Sequence, residues 1–388
     1  MELTGILLVG ILASVFVGFN IGGSSTGVTW GPVVGAGLIR KTTAAAVMTF
    51  FVFLGGATVG RRVIDTLADD IIEISITLEA GIAVLLFIGL GILVANVFGV
   101  PVPTSMTTVG AIAGLGLATG TLNWDTMGRI VAWWIVTPVI GFWVGGVIGR
   151  YLYVHLDRGF KVAATEGSLL ALDRSGRVPT LTLGPNTTVQ EFAGTVLVFV
   201  IACYMAFSAG ASNIPNAVAP LVSGGALEVN VAIVIATFAI GLGGFTIARR
   251  TMESVGTELT EIPLLTAVIV MLTAATITTA LSYIGIPISL VMATVMTTVG
   301  LGWGRASRTI TGREVLRGEG ETELSMGALK MGTSAEVPEM GEEDASDVAD
   351  AGALFNPQAV AKFVSMWIVG PTMSLGLSYL FFLSVPFI

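Results

Sequence analysis

Long stretches of the chain contain no Asp, Glu, Lys or Arg, among them Thr42–Gly60, Ala80–Phe98, Ile130–Gly149, Val229–Ala248, Pro263–Gly304 and Phe363–Ile388. The run from Pro263 to Gly304 is 42 residues long, enough for two bilayer crossings at about 20 residues each. A bilayer core offers no water to unpaired backbone groups, so these runs must be helices. The pattern predicts an all-α polytopic membrane protein with roughly 10–12 membrane segments.

Composition agrees. Charged residues are 11% of the chain and hydrophobic ones 54%, where soluble domains carry about 25% charged. The N-terminus has Glu2 where a signal peptide would carry Lys or Arg, and no small-residue cleavage site follows; a retained first helix is expected. The net charge of −8 is unevenly placed, with eleven acidic and three basic residues between Arg313 and Asp350. Such a Gly/Glu/Ser-rich stretch reads as a solvated loop. Cys203 stands alone, which excludes an intrachain disulfide, and His155 stands alone, which excludes a histidine-cluster metal site. With no nucleophile–base pair or intramembrane carboxylate pair either, no enzyme, cofactor or metal site is expected, and no nucleic-acid partner.

The chain is written twice. At an offset of 188, Leu54-Gly55-Gly56-Ala57-Thr58-Val59-Gly60-Arg61-Arg62 lies over Leu242-Gly243-Gly244-Phe245-Thr246-Ile247-Ala248-Arg249-Arg250. The same offset pairs Phe19 with Phe207, Gly22 with Gly210, Ser24 with Ser212 and Pro32 with Pro220. Near offset 186, Gly99-Val100-Pro101-Val102 meets Gly285-Ile286-Pro287-Ile288, and Trp134-Ile135-Val136-Thr137-Pro138 meets Trp367-Ile368-Val369-Gly370-Pro371 further on. Matched apolar composition alone would not keep Pro, Gly, Trp and Arg in order. The expected organisation is a first membrane repeat over 1–153, a polar connecting loop over 154–188, and a second repeat over 189–388 that contains an acidic loop at about 305–355.

Duplicated halves are the usual plan of secondary transporters, with the site near the midplane at Gly- or Pro-broken segments in matching places. Two matched pairs of such segments exist. Residues 19–27 face 207–216, carrying Asn20, Ser24 and Ser25 against Ser212, Asn213 and Asn216. Residues 99–105 face 285–289, carrying Thr104 and Ser105 against Ser289. A helix that starts at such a break exposes unpaired N–H groups and the positive end of its dipole, which favour an anion. Ser and Thr hydroxyls add donors suited to a tetrahedral oxyanion. The competing reading is that these hydroxyls bond back to their own helix and that small residues serve packing. It suits any single hydroxyl better than it suits two symmetric clusters.

At these residues the chain resembles the PiT inorganic phosphate transporter family, which carries a twice-repeated Gly-Ala-Asn-Asp-Val-Ala-Asn-Ala signature. Gly210-Ala211-Ser212-Asn213-Ile214-Pro215-Asn216-Ala217 is similar to the second copy, and Gly99-Val100-Pro101-Val102-Pro103-Thr104-Ser105-Met106 before Val109-Gly110-Ala111 is similar to a further family segment. The resemblance implies two inverted repeats with broken or re-entrant helices. It places the substrate candidates at Thr104, Ser105, Ser289, Ser24, Ser25, Ser212 and Asn213, and implies a cation-coupled symporter in the plasma membrane. The family's signature aspartates fall on Ser25 and Asn213, so a coupling ion is left with neutral oxygens. Asn20, Asn213, Asn216 and, for a proton, Glu191 are the coupling candidates, and H⁺ is favoured over Na⁺.

The expected function is uptake of inorganic phosphate by alternating access. A sulfate or thiosulfate permease follows closely, because sulfate carries no proton and prefers a site of donors only; a sulfate permease branch of the family resembles Asn20-Ile21-Gly22. A structural membrane scaffold is the non-transporter alternative, and it has no need of two matched broken segments. A channel would need a charged or polar pore lining that is not visible. The sequence admits a homo-oligomer.

Overall fold

The computed structural model describes residues 2–35, 39–97, 103–159, 170–173, 180–184, 187–246, 264–307 and 357–385. In the first half, α1 spans Glu2–Gly35, α2 Lys41–Ala57, α3 Gly60–Asp65, α4 Leu78–Val97, α5 Thr104–Thr119, α6 Trp124–Val147 and α7 Tyr153–Gly159. Single π turns extend α3 through Thr66–Asp70 and join α6 to α7 through Ile148–Leu152. The second half contains α8 Val189–Val222, α9 Val229–Thr246, α10 Leu264–Tyr283, α11 Leu290–Ala306 and α12 Pro357–Ser384.

Seven of these helices are long and apolar enough to cross a membrane, or eight if the pair α2–α3, bent by 61°, is one broken span. Of the others, α7 continues the α6 span, while α5 and α11 have 16 and 17 residues, short of the about 20 that a full crossing needs. They begin at the segments 99–105 and 285–289 singled out in the sequence, whereas α1 and α8 run on as helices through 19–27 and 207–216, where breaks are expected from the sequence. One departure from an all-helical reading lies in the polar connecting loop. There Leu170–Asp173 (β1) pairs antiparallel with Thr180–Leu183 (β2). The short alternation of Leu with Ala or Thr suffices for a two-stranded ribbon outside the apolar core. The acidic stretch and the Arg249-Arg250 pair lie outside the described residues.

The duplication is visible in the packing. Gly22 of α1 lies against the Ile240 carbonyl of α9, and Gly210 of α8 lies against the Val52 carbonyl of α2. Both residues of the second contact are the 188-offset mates of the first. Likewise Gly55 packs on the Phe207 carbonyl and Gly243 on the Phe19 carbonyl, again with both residues moved by 188. A lipid tail is as apolar as Leu, so helices in a bilayer associate through close backbone approach, which glycine permits. Each half therefore seals its partner through the same glycines. Outside this seam, large apolar side chains such as Leu12, Val139, Trp143 and Phe238 point outward, as a lipid-facing surface requires.

Two of the hairpin helices are held across the halves in the same way. α6 packs along α11, with Gly145 on the Thr297 carbonyl and Gly300 on the Phe142 carbonyl. α12 packs along α5, with Gly110 against the Pro371 carbonyl and Ser378 donating to the Ala111 carbonyl at 2.7 Å. Arg62 ties α3 to the end of α10, with its Nη1 donating to the Tyr283 carbonyl at 2.8 Å and its guanidinium 4.1 Å from the centre of the Tyr283 ring. Arg61 reaches Asn230 at the start of α9.

Candidate functional site

The polar centre of the molecule is assembled by three helices. α8 runs on through Pro215 and Pro220, but neither donates a backbone hydrogen bond, so the carbonyls four residues earlier, at Ala211 and Asn216, lose their usual partners. Such breaks are tolerated in a membrane only where protein or a polar cavity meets the freed groups. α5 and α11 begin beside this proline-bearing stretch. Gly285 sits at φ 77° in the turn after α10, a conformation that L side chains rarely adopt. A Cβ there would approach Thr66 Oγ1 at 2.9 Å. The turn feeds the extended Ile286–Ser289 segment into α11, and Ser289 caps that helix by accepting the Met292 N–H at 3.3 Å.

The three elements meet in one buried hydrogen-bonded cluster. Thr104 Oγ1 donates to Asn213 Oδ1 at 2.8 Å. Ser105 Oγ and Ser212 Oγ both donate to the Ile288 carbonyl, at 3.0 and 2.7 Å, and lie 3.4 Å apart. Asn216 Nδ2 points at Ser212 O (3.0 Å), Ser105 Oγ (3.1 Å) and Thr104 Oγ1 (3.4 Å). Because a backbone carbonyl only accepts, the contact with Ser212 O assigns which end of the amide is the nitrogen. Asn216 Oδ1 is then left buried with no donor. An unmet buried acceptor costs about 1–3 kcal/mol.

Among the described residues, no charged side chain belongs to the cluster. Its electrostatics come from the N-termini of α5 and α11, which converge because Ser105 near the start of α5 bonds to Ile288 just before α11. Each N-terminus is equivalent to roughly half a positive charge and carries N–H groups without helical partners. The neighbouring Thr107 and Thr108 merely bond back to the Pro103 and Thr104 carbonyls, the ordinary behaviour of helical threonine. A narrow cavity lined by Ile21, Thr29, Met48, Val52, Ala209, Asn213 and Ile240 reaches the cluster at Asn213.

Of the residues singled out by sequence, Thr104, Ser105, Ser212, Asn213 and Asn216 are brought together, with Ser289 next to Ile288. Ser24 and Ser25 lie in α1, but their side chains are outside the described ones. Asn20 is held apart from the cluster, donating to the Phe16 carbonyl at 2.8 Å and receiving Asn96 Nδ2 on its own carbonyl at 3.2 Å. Glu191 forms a capping box with Thr188 at the start of α8, about 30 Å from Ser212 along the helix at ~1.5 Å per residue. Among the described residues, no group of three or more His, Cys, Asp or Glu could hold a metal. Two contributors escaped sequence reasoning. The Ile288 carbonyl has no side-chain signature. Trp134, whose Nε1 donates to the Pro287 carbonyl at 2.9 Å, was visible only as a repeat marker.

Comparison with known proteins agrees with this architecture. The sodium-dependent phosphate transporter of known structure superposes with a TM-score of 0.67, at 20% identity, covering 98% of this chain and all of that one. The sulfate permease CysP of Bacillus subtilis is 27% identical over 96% of this chain and 86% of its own length. A relative from Pyrococcus horikoshii, PH0640, whose name refers to phosphate, is 24% identical over 77% of this chain and 90% of its own. The sequence model described as the phosphate transporter family, PHO4, matches residues 21–378, and this chain belongs to that family.

Proposed function

We propose that this protein is a secondary transporter of the cell membrane that carries a tetrahedral inorganic oxyanion, sulfate before phosphate, by alternating access. The carrying observation is the cluster itself: hydroxyls and amides of α5 and α8 meet under two convergent helix N-termini, with no carboxylate among them. A dianion without a proton needs donors only, and carboxylates in its site would repel it. The permease relative that spans 96% of this chain is named for sulfate. On these two grounds we place sulfate first, where the sequence reading places phosphate first. Phosphate stays as the second reading on a separate observation, since the unmet acceptor Asn216 Oδ1 would take the hydroxyl of hydrogen phosphate. Labelled sulfate and phosphate, each competed by the other in proteoliposomes, rank the two. Sulfate uptake resistant to excess phosphate supports the first reading, and phosphate uptake resistant to sulfate replaces it with the second.

Two hydroxyls should be separable from the scaffold. Thr104→Val and Ser289→Ala are expected to reduce oxyanion uptake more than tenfold while leaving the protein folded, since a hydrogen bond to a charged ligand contributes about 1.5–3 kcal/mol. Uptake at the wild-type level in both variants would remove these groups from the site.

Coupling follows from the same neutrality. A desolvated Na⁺ without a carboxylate is costly in a bilayer, and the positions that the family resemblance matches to its signature aspartates hold Ser25 and Asn213. Uptake is therefore expected to respond to a pH gradient and to ignore Na⁺. The double change Ser25→Asp with Asn213→Asp is expected to introduce Na⁺ dependence. Steep Na⁺ activation of the unmodified protein, without a response to pH, would contradict proton coupling.

A further inference from the structure

Tyr283 ends α10, and Pro287 follows four residues later. Proline has no N–H, so the Tyr283 carbonyl cannot find the partner that a continuing helix would give it. The turn satisfies the neighbouring carbonyls itself. Leu281 accepts the Ile284 and Ile286 N–H groups at 3.2 and 2.9 Å, and Ser282 accepts the Gly285 N–H at 3.0 Å. The Tyr283 carbonyl is met from the other half of the chain. Arg62 Nη1, on α3, donates to it at 2.8 Å, while the guanidinium lies 4.1 Å from the centre of the Tyr283 ring.

The backbone of Arg62 supports the same turn. Its carbonyl accepts Thr66 Oγ1 at 3.1 Å, and Gly285 is seated on these two groups: a Cβ there would come within 2.9 Å of Thr66 Oγ1 and 3.2 Å of the Arg62 carbonyl. From this turn the chain runs directly into the site. The Pro287 carbonyl accepts Trp134 Nε1, the Ile288 carbonyl accepts Ser105 Oγ and Ser212 Oγ, and Ser289 opens α11. Residues 285–289 are buried, whereas Arg62 and Tyr283 are exposed. Arg62 therefore grips the outer end of a segment whose inner end belongs to the oxyanion cluster. Arg61 serves another element, donating to the Ala57 carbonyl at 2.7 Å and reaching Asn230 at the start of α9.

We propose that Arg62 is a positioning residue for oxyanion binding: it fixes the turn at residues 283–285 and so sets where the N-terminus of α11 is aimed. This rests on the transport reading above and deepens it. Binding groups must be held within about 0.5 Å of their productive positions by the residues around them. A guanidinium suits the task, because stacking its plane on the Tyr283 ring fixes the direction of its N–H groups, which the flexible ammonium of lysine does not do. The aim of α11 is thus controlled from the first half of the chain, by a residue that lies outside the cluster.

The test uses the full-length protein in proteoliposomes and nanodiscs, with Arg62→Gln, Arg62→Lys and Arg61→Gln compared with wild type. Arg62→Gln is expected to raise the KM for sulfate, or for phosphate if that is the anion carried, by about tenfold, the scale of one hydrogen bond from a charged group. The maximal rate should change less. Arg62→Lys keeps a donor and the charge, and is expected to recover part of the loss. Arg61→Gln removes the same charge one residue away and should leave the KM near the wild-type value. A merely structural role would lower the yield of folded protein and leave the KM alone. Hydrogen exchange over residues 284–292 is the second readout, expected to be faster in Arg62→Gln and unchanged in Arg61→Gln. A wild-type KM in Arg62→Gln, an equal rise in Arg61→Gln, or unchanged exchange in Arg62→Gln overturns the proposal. A wild type that carries neither sulfate nor phosphate removes the transport reading instead, and the exchange result still decides whether Arg62 holds the turn.

Discussion

Asn216→Leu is expected to abolish oxyanion uptake, by more than a hundredfold, while the protein still purifies as a folded species. The substitution keeps the branching of the side chain but removes the amide that donates toward Ser212 O, Ser105 Oγ and Thr104 Oγ1. The cluster is fully buried at this point, with Asn216 and Ser105 both at 0% exposure, so water cannot replace the lost donor. Two unmet acceptors at about 1–3 kcal/mol each are enough for a hundredfold effect, about 2.7 kcal/mol. The damage should concentrate on Ser105 and Thr104, which would turn to new partners and leave the α5 N-terminus misaimed. Uptake measured beside a size-exclusion profile distinguishes the outcomes. A monodisperse variant that transports within threefold of wild type would show that Asn216 is only a packing residue.

Gly55→Ala and Gly210→Ala are expected to be the most damaging single methyl additions to the fold. A Cβ on Gly55 would overlap the Phe207 carbonyl, and one on Gly210 would overlap the Val52 carbonyl. Both obstacles are backbone atoms of the facing helix, which cannot rotate away as a side chain can. The α2–α8 crossing must then open, and with it the seam that places Ser212 and Asn213 opposite α5. Gly128 in α6 meets nothing within 4 Å, so Gly128→Ala should be neutral or slightly stabilising, by up to about 1 kcal/mol from helix propensity. Thermal unfolding of the three purified variants checks this. Equal melting temperatures would mean that the glycine seam is not what joins the repeats.

Much of this architecture can be read in the chain because a bilayer restricts the choices. A charge-free run such as Pro263–Gly304 has few folded outcomes in lipid, and an internal repeat doubles every signal. The pairings of Gly22 with Gly210 and of Gly55 with Gly243, first seen as sequence matches, became identical contacts in the structure. Thr104, Ser105, Ser212, Asn213 and Asn216 were also legible, because small polar side chains beside Pro and Gly are costly in a membrane without a purpose. Their wiring was not. Nothing in a helical period says that Ser105 and Ser212 share the Ile288 carbonyl, since a backbone acceptor is the same for every residue type. Asn96, which meets Asn20 across α4 and α1, was hidden for a related reason: one amide in an apolar run has no visible partner until two helices are placed side by side. The hairpin of β1 and β2 was missed because four residues of alternation are too few to stand out.

Counterflow measures the central claim most directly. Proteoliposomes containing the wild-type protein are loaded with unlabelled sulfate, diluted into a trace of labelled sulfate, and followed over time. A carrier that exposes one oxyanion site alternately to the two sides exchanges label for unlabelled anion. Labelled sulfate should therefore rise transiently above its equilibrium level, with no rise in Asn216→Leu. Label that enters at the same rate whether or not the vesicles are preloaded, or that enters no faster than into protein-free vesicles, would contradict the account.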